Sequence, residues 1–464
     1  MGVFMRFKPS KHTTTVLNDQ GELLLYNTIT GYNSLCKTVK PEIVTPFLES
    51  GIEFSDGIVT EVATPLIQRG YLIEEWRDEK ALFNTFHINA VSPRNLSLTI
   101  VPTNDCNFRC VYCWERFDGA WMSQETQDKI VQYVDKHMAQ YTALHVSWFG
   151  GEPLLAIDIL KDLSRRLMDV CKKHKKPYTA SITTNGYLLS EDVFDCLRSI
   201  NVLSYQVPID GLRIFHDSRR VLANGEQTYD AILNNLSNIS KKLKSRMYDF
   251  VVRVSVTKDM LGHINEIVDI FISKFGDSPQ FRLLFTPLAD LHSDKICELI
   301  DVIDEKFILG EVYERLLACE SIPRLAGMID SISISSGLCH AEKQNNYLFD
   351  PNGEVHLCLL TYENPSLKSK SCIGHVGESG NLIIDPYLQG LWLREGKSCT
   401  SCKSKEDCFF FPSCCGDVCS AQKVYHPQKY KGDVCISQNK QFLNDMLKIA
   451  DKQKQIPCID KVIN

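Results

Sequence analysis

The sequence lacks three features that would direct the protein to a membrane, to secretion or to nucleic acid. No run approaches the roughly 20 apolar residues that a transmembrane helix requires. Residues 1–10 contain no apolar signal core, and Arg6 stands where a myristoylation pattern requires Ser or Thr. The formal net charge is −6, which disfavours a nucleic-acid-binding surface. We therefore expect a cytoplasmic protein with no membrane partner and no nucleic-acid partner.

Cysteine, by contrast, is abundant and unevenly distributed. The chain of 464 residues contains 19 cysteines, and ten of them fall between Cys339 and Cys435. A reducing compartment disfavours a disulfide framework, and clustered thiols in such a compartment are more often metal ligands. The cysteine clusters are therefore the first place to look for function.

The first 90 residues predict a small α+β domain. Residues 13–26 have two apolar runs around a polar turn, which indicates a β-hairpin. Pro41 and Thr60 are suitable starts for two short helices. A hairpin followed by short helices resembles a winged-helix fold. Residues 77–95 are polar and predict a linker.

Residues 91–330 alternate between strand and helix patterns. The predicted strands are 97–102, 144–149, 178–183, 203–209, 249–256 and 280–286. The predicted helices are 123–140, 155–174, 190–199, 228–244, 262–274 and 293–318. Six βα units imply a parallel sheet, and six rather than eight predict a partial (β/α)6 TIM-like barrel. Catalytic residues of such barrels lie at the carboxyl ends of the strands.

The first cysteine cluster directly follows the first of these strands. Cys106, Cys110 and Cys113 have the spacing C-x3-C-x2-C. Three thiolates on one loop can hold three irons of a [4Fe–4S] cluster, which leaves the fourth iron open to a ligand. A structural zinc site needs four ligands, and no histidine lies nearby to complete one.

This arrangement, with Tyr112 before the third cysteine, resembles the radical S-adenosylmethionine (SAM) superfamily. The resemblance implies that the open iron binds the amino and carboxylate groups of SAM. One electron from the cluster would then break a C–S bond and give a 5′-deoxyadenosyl radical. The protein itself would bind, orient and shield the reactants.

Two further motifs follow the second and third predicted strands. Gly150 and Gly151 allow close backbone approach to a ligand, and the resemblance assigns the methionine amino group to Glu152. The resemblance also places the polar Asn185 near the ribose or the carboxylate of the cofactor. An ordinary Asn-Gly turn is the alternative reading of Asn185.

Asp210 ends the fourth predicted strand and is the candidate catalytic residue. It would orient the substrate or act as a general acid or base, and a turn-capping role is the alternative. His216 and Arg220 follow it in a pattern similar to peptide-modifying members of the superfamily, although Pro208 stands where a Ser is common there. Arg253 and Arg282 lie on later strands and are more readily explained as structural or solvated arginines.

After about residue 335 the periodicity fades and a second cysteine cluster begins. Its order closely resembles the SPASM domain, which carries two auxiliary [4Fe–4S] clusters. Nine cysteines lie in this pattern, namely Cys339, Cys358, Cys399, Cys402, Cys408, Cys414, Cys415, Cys419 and Cys435. Two fully ligated clusters need eight, so either one cysteine is spare, with the choice open among Cys408, Cys414 and Cys415, or one cluster is ligated differently. Cys372 fits no pattern and is expected to be a free thiol.

The resemblance assigns these ligands to two clusters. Cys339, Cys358 and Cys419 would hold the inner cluster. Cys399, Cys402 and Cys435 would hold the outer one, with Cys408 or Cys414 completing it. A zinc ribbon is the alternative, since C-x2-C followed by later cysteines is also zinc spacing.

Together these patterns predict an N-terminal winged-helix-like domain (1–90), a radical SAM core (91–330), a cysteine-rich SPASM domain (331–440) and a polar tail (441–464). The combination resembles ribosomal-peptide maturases, in which the N-terminal domain binds the leader of a precursor peptide. The expected reaction is hydrogen abstraction leading to a thioether, C–C or C–O crosslink, with a reductant such as flavodoxin or ferredoxin. An anaerobic sulfatase-maturating enzyme and a peptide epimerase are the alternatives. A non-catalytic iron–sulfur protein would not need the open three-cysteine motif.

Overall fold

The structure is a computed structural model. It describes residues 5–54, 61–113, 115, 117–288, 302–325, 339–362, 367–393, 420–425, 440–453 and 456–462. Within these ranges no helix combines the length and the hydropathy needed to cross a membrane.

The described residues up to Glu74 form two small antiparallel sheets with two helices. The strands are β1 Met5–Pro9, β2 Thr13–Leu17, β3 Leu23–Asn27, β4 Cys36–Thr38, β5 Ile52–Phe54 and β6 Leu72–Glu74, and the helices are α1 Pro41–Ser50 and α2 Ala63–Gln68. The sheet orders are β5-β1-β6 and β2-β3-β4. The predicted hairpin is confirmed as β2 and β3, and Asn18 closes its turn by accepting from the backbone N–H groups of Gln20 and Glu22.

The linker predicted over residues 77–95 is wrong, because α3, Glu79–Val91, occupies most of it. The apolar residues of this segment are scattered around the helix rather than gathered on one face. A pattern search that relies on a single apolar stripe therefore misses this helix.

A ten-stranded mixed sheet forms the centre of the molecule. Its parallel half contains β7 Leu96–Ile100, β8 Leu144–Trp148, β9 Tyr178–Thr183, β10 Val202–Pro208, β11 Asp249–Val256 and β12 Phe281–Pro287. These strands are neighbours in chain order, so β7 and β12 lie at opposite ends of the parallel half. All six predicted strands are confirmed within two residues at each end. The carboxyl ends of the six strands therefore lie along one edge.

Helices connect the parallel strands and pack on the sheet. They are α4 Gln124–His137, α5 Ile157–Lys173, α6 Glu191–Ser199, α7 Arg213–Arg219, α8 Tyr229–Lys242, α9 Ile264–Phe275 and α10 Val302–Ala318. Ser123 and Ser190 cap α4 and α6 by accepting from backbone N–H groups in the first turn. Leu160, Leu163 and Leu167 are fully buried on one face of α5, as their spacing predicts.

The sheet continues beyond β7 with four more strands: β13 Asn346–Phe349, β14 Glu354–His356, β15 Cys372–Val376 and β16 Leu382–Ile384. β13 runs parallel to β7, and the last three pairings are antiparallel. Short helices in this part are α11 Leu359–Tyr362, α12 Lys368–Ser371, α13 Pro386–Trp392 and α14 Ser420–Tyr425.

The expected polar tail over 441–464 is instead a helix followed by a docked segment. Helix α15, Lys440–Lys452, buries Leu443, Met446 and Leu447 in the main core. Residues 456–462 then cross to the N-terminal sheets, where Ile459 is buried in their core.

The docked segment covers the outer edge of β4. The backbone N–H of Lys37 donates to the carbonyl of Pro457 at 2.9 Å. Thr38 Oγ1 and the N–H of Val39 both donate to the carboxylate of Asp460 at 2.6 Å. Residues 456–462 therefore pack against the outer edge of the β2-β3-β4 sheet.

Candidate active site

The loop that carries Cys106, Cys110 and Cys113 leaves the end of β7 and is held from two sides. On one side, the N–H groups of Gly151 and Glu152 donate to the carbonyls of Thr103 and Asp105 at 3.2 and 2.8 Å. On the other side, the N–H groups of Arg109 and Val111 donate to backbone carbonyls of residues 221 and 219, each at 2.9 Å. The loop is thus fixed on both sides by backbone hydrogen bonds.

The two glycines after β8 are required by this contact. Gly150 has a φ of +127°, and a Cβ there would lie 2.6 Å from the carbonyl oxygen of Thr103. A Cβ on Gly151 would lie 2.3 Å from the carbonyl oxygen of Asp105. Ligand approach was the reason expected from the sequence; the structure adds a second, which is direct packing of this turn on the cysteine loop.

Glu152 is fully buried and joins the turns that follow β8 and β9. Its carboxylate accepts from Thr184 Oγ1 at 2.6 Å and from the N–H groups of Asn185 and Leu154 at 2.7 and 3.0 Å. Burial raises the pKa of Glu152, and these hydrogen bonds act in the opposite direction. The carboxylate of Glu152 therefore holds the backbone of Asn185 in place.

Asn185 lies beside the first cysteine. Its side-chain Nδ2 donates to Asn107 Oδ1 at 2.8 Å and lies 3.9 Å from Cys106 Sγ. A donor at that position is suited to a cluster sulfur or to a cofactor carboxylate.

Tyr112 connects the cysteine loop to the candidate catalytic residue. Its hydroxyl donates to Asp210 Oδ2 at 2.6 Å and accepts from an Arg220 guanidinium N–H at 2.8 Å. Asp210 and Arg220 are both buried, and Asp210 Oδ1 and Arg220 Nε have no hydrogen-bond partner among the described residues. Burial raises the pKa of Tyr112, so the hydroxyl stays protonated as the bridge between the two charges.

His216 fixes the backbone beneath Asp210. Thr228 Oγ1 donates to the carbonyl of Arg220 at 2.6 Å, so it accepts from His216 Nε2–H at 3.0 Å. His216 Nδ1 is therefore unprotonated and accepts from the N–H of Asp210 at 3.2 Å. Burial, and then the charge of Arg220, lowers the pKa of His216 to about 3.

A cavity of about 440 Å³ collects most of these groups at the carboxyl ends of the strands. Its lining includes Cys106, Cys110, Cys113, Tyr112, Gly150, Gly151, Asn185, Arg220 and Arg253. Glu152 and Asp210 lie behind this surface. Arg282 lies elsewhere, paired with Asp249 at 2.7 Å. A larger groove of about 870 Å³ between Leu212 and Lys274 contains none of the predicted site residues.

The cysteine loop fits an iron–sulfur cluster better than a single metal ion. A structural zinc ion takes four ligands, and the loop offers three thiolates. In a cubane each thiolate binds a different iron, and three thiolates suffice when the fourth iron keeps an open position. The N–H of Phe108 donates to Cys106 Sγ at 3.3 Å, as expected for a thiolate ligand.

The structure places only part of the second cysteine cluster. Cys339 is exposed, and Cys358 is partly buried against the main core. The other seven predicted ligands, Cys399, Cys402, Cys408, Cys414, Cys415, Cys419 and Cys435, lie outside the described residues. The assignment of two auxiliary clusters stays a prediction.

The sequence patterns do not reveal the contacts that two residues make in the site. Thr184 contacts Glu152, and nothing in the turn sequence distinguishes it from an ordinary polar residue. Arg220 was noted as part of a motif, but its contact with Tyr112 depends on the segment 219–223 pairing with the cysteine loop. Only the fold reveals that pairing.

Comparisons with known proteins agree with this geometry. The family model "Radical SAM superfamily" matches residues 100–264. The cysteine-type anaerobic sulfatase-maturating enzyme of Clostridium novyi is 24% identical over 299 residues, covering 57% of this chain and 74% of the relative. The radical SAM cyclopropyl synthase TigE of Paramaledivibacter caminithermalis is 21% identical over 267 residues, covering 50% of this chain and 55% of the relative.

Among solved structures, native anSMEcpe with bound AdoMet and Cp18Cys peptide has a similar fold. The TM-score is 0.54 at 19% identity, covering 80% of this chain and 99% of that structure. The cysteine loop, the cavity and the family match lead to the same conclusion: the chain contains a radical SAM domain, which includes residues 100–264.

Proposed function

We propose that this protein modifies a ribosomally synthesised precursor peptide and forms a thioether, C–C or C–O crosslink in it. The observation that carries this proposal is the cavity in which the cysteine loop, Asn185 and Arg220 converge. The sulfatase maturase and the cyclopropyl synthase among its relatives belong to the same general type of enzyme.

The residues of the cavity divide the work. Cys106, Cys110 and Cys113 would hold the cluster, and Asn185 would donate to the cofactor. When bound, the cluster and SAM supply one-electron chemistry for hydrogen abstraction. Arg220 lines the cavity with a buried positive charge and is suited to a carboxylate.

Asp210 is fully buried behind the cavity lining, so it would orient the substrate or move a proton through Tyr112, which lines the cavity. His216 holds the backbone of Asp210 in place. Two auxiliary clusters on the nine SPASM-type cysteines, a count of three clusters in all, and a flavodoxin or ferredoxin reductant remain part of the proposal.

The N-terminal domain is the proposed leader-binding element. Strand addition at the outer edge of β4 would have to displace Pro457 and Asp460, which cover that edge. A groove of about 580 Å³ lies instead beside β6 and α3, and Trp76 next to it is 79% exposed. We therefore place the leader in this groove, where β6 supplies a strand edge and Trp76 an aromatic anchor.

The leader site is tested by the binding of a labelled leader peptide to the full chain. We expect Trp76→Ala to weaken binding at least about tenfold, the loss typical of an aromatic anchor. Leu17→Ala, which removes an exposed apolar side chain on β2, is the control and should bind normally. Equal binding by wild type and Trp76→Ala would contradict this placement.

The sulfatase-maturating alternative is supported equally by the comparisons. Peptide epimerisation is a further alternative that uses the same hydrogen abstraction. These reactions differ in product: a crosslink removes two hydrogens, formylglycine introduces an aldehyde, and epimerisation leaves the mass unchanged.

The deciding experiment is anaerobic. The reconstituted chain is incubated with dithionite, SAM and either a candidate precursor peptide or a Cys- or Ser-containing sulfatase peptide. Release of 5′-deoxyadenosine with loss of two hydrogens from the precursor supports the proposal. An aldehyde on the sulfatase peptide supports the alternative, and no 5′-deoxyadenosine under any condition contradicts both.

A further inference from the structure

A second group of possible metal ligands lies on the antiparallel half of the central sheet. Side chains alternate between the faces of a strand, so Glu354 and His356 of β14 share one face. His356 is the register partner of Cys372 on β15, which places the thiol directly across from the imidazole. One ligand atom from each of the three residues lies within 4.8 Å of the other two.

The hydrogen bonds around His356 determine which ring nitrogen is available. Ser371 Oγ donates its only proton to the carbonyl of Thr361 at 3.1 Å, so it accepts from His356 Nδ1 at 3.5 Å. In a neutral imidazole with its proton on Nδ1, the lone pair lies on Nε2.

That lone pair is in a position that favours a cation. His356 is 0% exposed, and Nε2 has no hydrogen-bond partner among the described residues. Glu354 Oε2 lies 3.7 Å from it, beyond hydrogen-bond distance. A buried lone pair beside a carboxylate oxygen is unfavourable unless a positive charge lies between them.

We propose that Glu354, His356 and Cys372 bind one divalent transition-metal ion of the zinc class. Thiolate, imidazole and carboxylate are the ligands that zinc takes in proteins, and three protein ligands leave a fourth position for water or another donor. The contact of Ser371 with the second ring nitrogen is the support that metal-bound histidines usually have.

Metal binding would also change the protonation of Cys372. The thiol of Cys372 donates to the carbonyl of Gly374 at 3.4 Å. Coordination requires the thiolate, so one proton leaves the site for each ion bound. Cys372, expected from the sequence to be a free thiol, thereby becomes a ligand that belongs to none of the predicted iron–sulfur clusters.

The site has a structural consequence for its surroundings. The ion would join β14 to β15 just before Cys358, a predicted ligand of the inner auxiliary cluster. The proposal itself depends only on the three side chains and not on the proposed peptide reaction.

The test measures zinc and iron per chain in the full-length protein. The protein is produced with zinc in the medium, reconstituted anaerobically with iron and sulfide, and freed of loosely bound metal. We expect about one zinc per chain in addition to the iron. Cys372→Ser and Glu354→Gln, both close in shape to the native residues, should each lose the zinc and keep the iron.

Cys196→Ser is the matched control, since Cys196 is partly buried on α6 and outside every predicted cluster. It should keep both metals. Wild type without zinc would overturn the proposal. Zinc that persists in Cys372→Ser would lie at other cysteines, and iron lost with Cys372→Ser would make Cys372 a cluster ligand; either result overturns the separate site.

Discussion

The cysteine loop and the Glu354–His356–Cys372 group assemble ligands in opposite ways. In the loop, three cysteines within eight residues share one irregular segment, and neighbouring turns hold that segment in place. In the strand pair, cross-strand pairing does the positioning: the register of β14 against β15 shifts between Val355 and His356 and brings a distant thiol to the histidine. Local spacing encodes the first arrangement and tertiary pairing encodes the second.

This difference determines which substitutions the cysteine loop and the β14–β15 strand pair can each tolerate. The loop depends on close backbone packing, so a single added methyl group should disturb it. The strand pair depends on register, so conservative side-chain changes should remove a ligand without moving the backbone. Four comparisons, each between a variant and a control or wild type, test what the loop and its surroundings tolerate.

Replacing a loop cysteine should have the largest effect. Cys110→Ala removes one of the three proposed cluster ligands, and we expect 5′-deoxyadenosine release to fall to the background rate. Cys372→Ser in the same assay should retain most of the wild-type rate, because it lies outside the cavity. Comparable losses in the two variants would show that the regions are not separate.

Adding a methyl group at Gly151 should be the next most damaging change. Its Cβ would lie 2.3 Å from a carbonyl oxygen of the loop, so the loop must shift at a cost of roughly 1–3 kcal/mol. Iron retained per chain and the denaturation midpoint measure this loss.

Gly390→Ala on α13 is the matched control, because a Cβ there meets nothing within 4 Å. It should be neutral or stabilise by up to about 1 kcal/mol through the unfolded chain. A normal iron content in Gly151→Ala would contradict the packing argument.

Removing the Tyr112 hydroxyl should produce a smaller change. Tyr112→Phe leaves Asp210 Oδ2 and one Arg220 N–H without this bridge. We expect the free energy of unfolding to fall, or the activation barrier to rise, by about 1–3 kcal/mol. Tyr387→Phe, which alters an 86% exposed tyrosine, should be silent. The comparison is made on peptide product formed per 5′-deoxyadenosine released, which should fall only in the first variant.

The smallest expected effect is a pH dependence that comes from His216. Its folded pKa of about 3 lies below the unfolded value of about 6.5, so its contribution is complete above pH 6.5 and is lost as the pH falls toward 3. Between pH 7.5 and 6.0 this amounts to about 0.8 kcal/mol.

Denaturant midpoints at the two pH values, measured for wild type and His216→Gln, isolate this contribution. The variant should lose less stability on acidification than wild type, since its side chain does not titrate. An identical pH dependence in both proteins would mean that His216 is not held in the neutral form.

The sequence predicted the parts of the molecule that local patterns determine. The six parallel strands follow from apolar runs of β length, and the cysteine loop follows from its spacing. Helix α3 was missed because its apolar residues do not gather on one face. The sequence gives Cys372 no partner for a related reason. Its neighbour His356 lies on another strand, and no spacing rule connects the two residues.

Glu152 shows a third kind of limit. Its motif predicts a cofactor contact, whereas in the structure its carboxylate accepts three hydrogen bonds that join two strand-end turns. A residue pattern does not reveal whether a carboxylate turns toward a cavity or toward the backbone behind it. That outcome depends on which donors the neighbouring loops bring within reach.

The contact between Thr38 and Asp460 spans 422 residues of chain. During synthesis on the ribosome, β4 is therefore made long before the residues that cover its edge. The N-terminal sheets must wait through translation of the whole radical SAM domain with that edge open, available to a chaperone or to another chain. The edge of β4 can therefore be covered only after residue 460 has been synthesised.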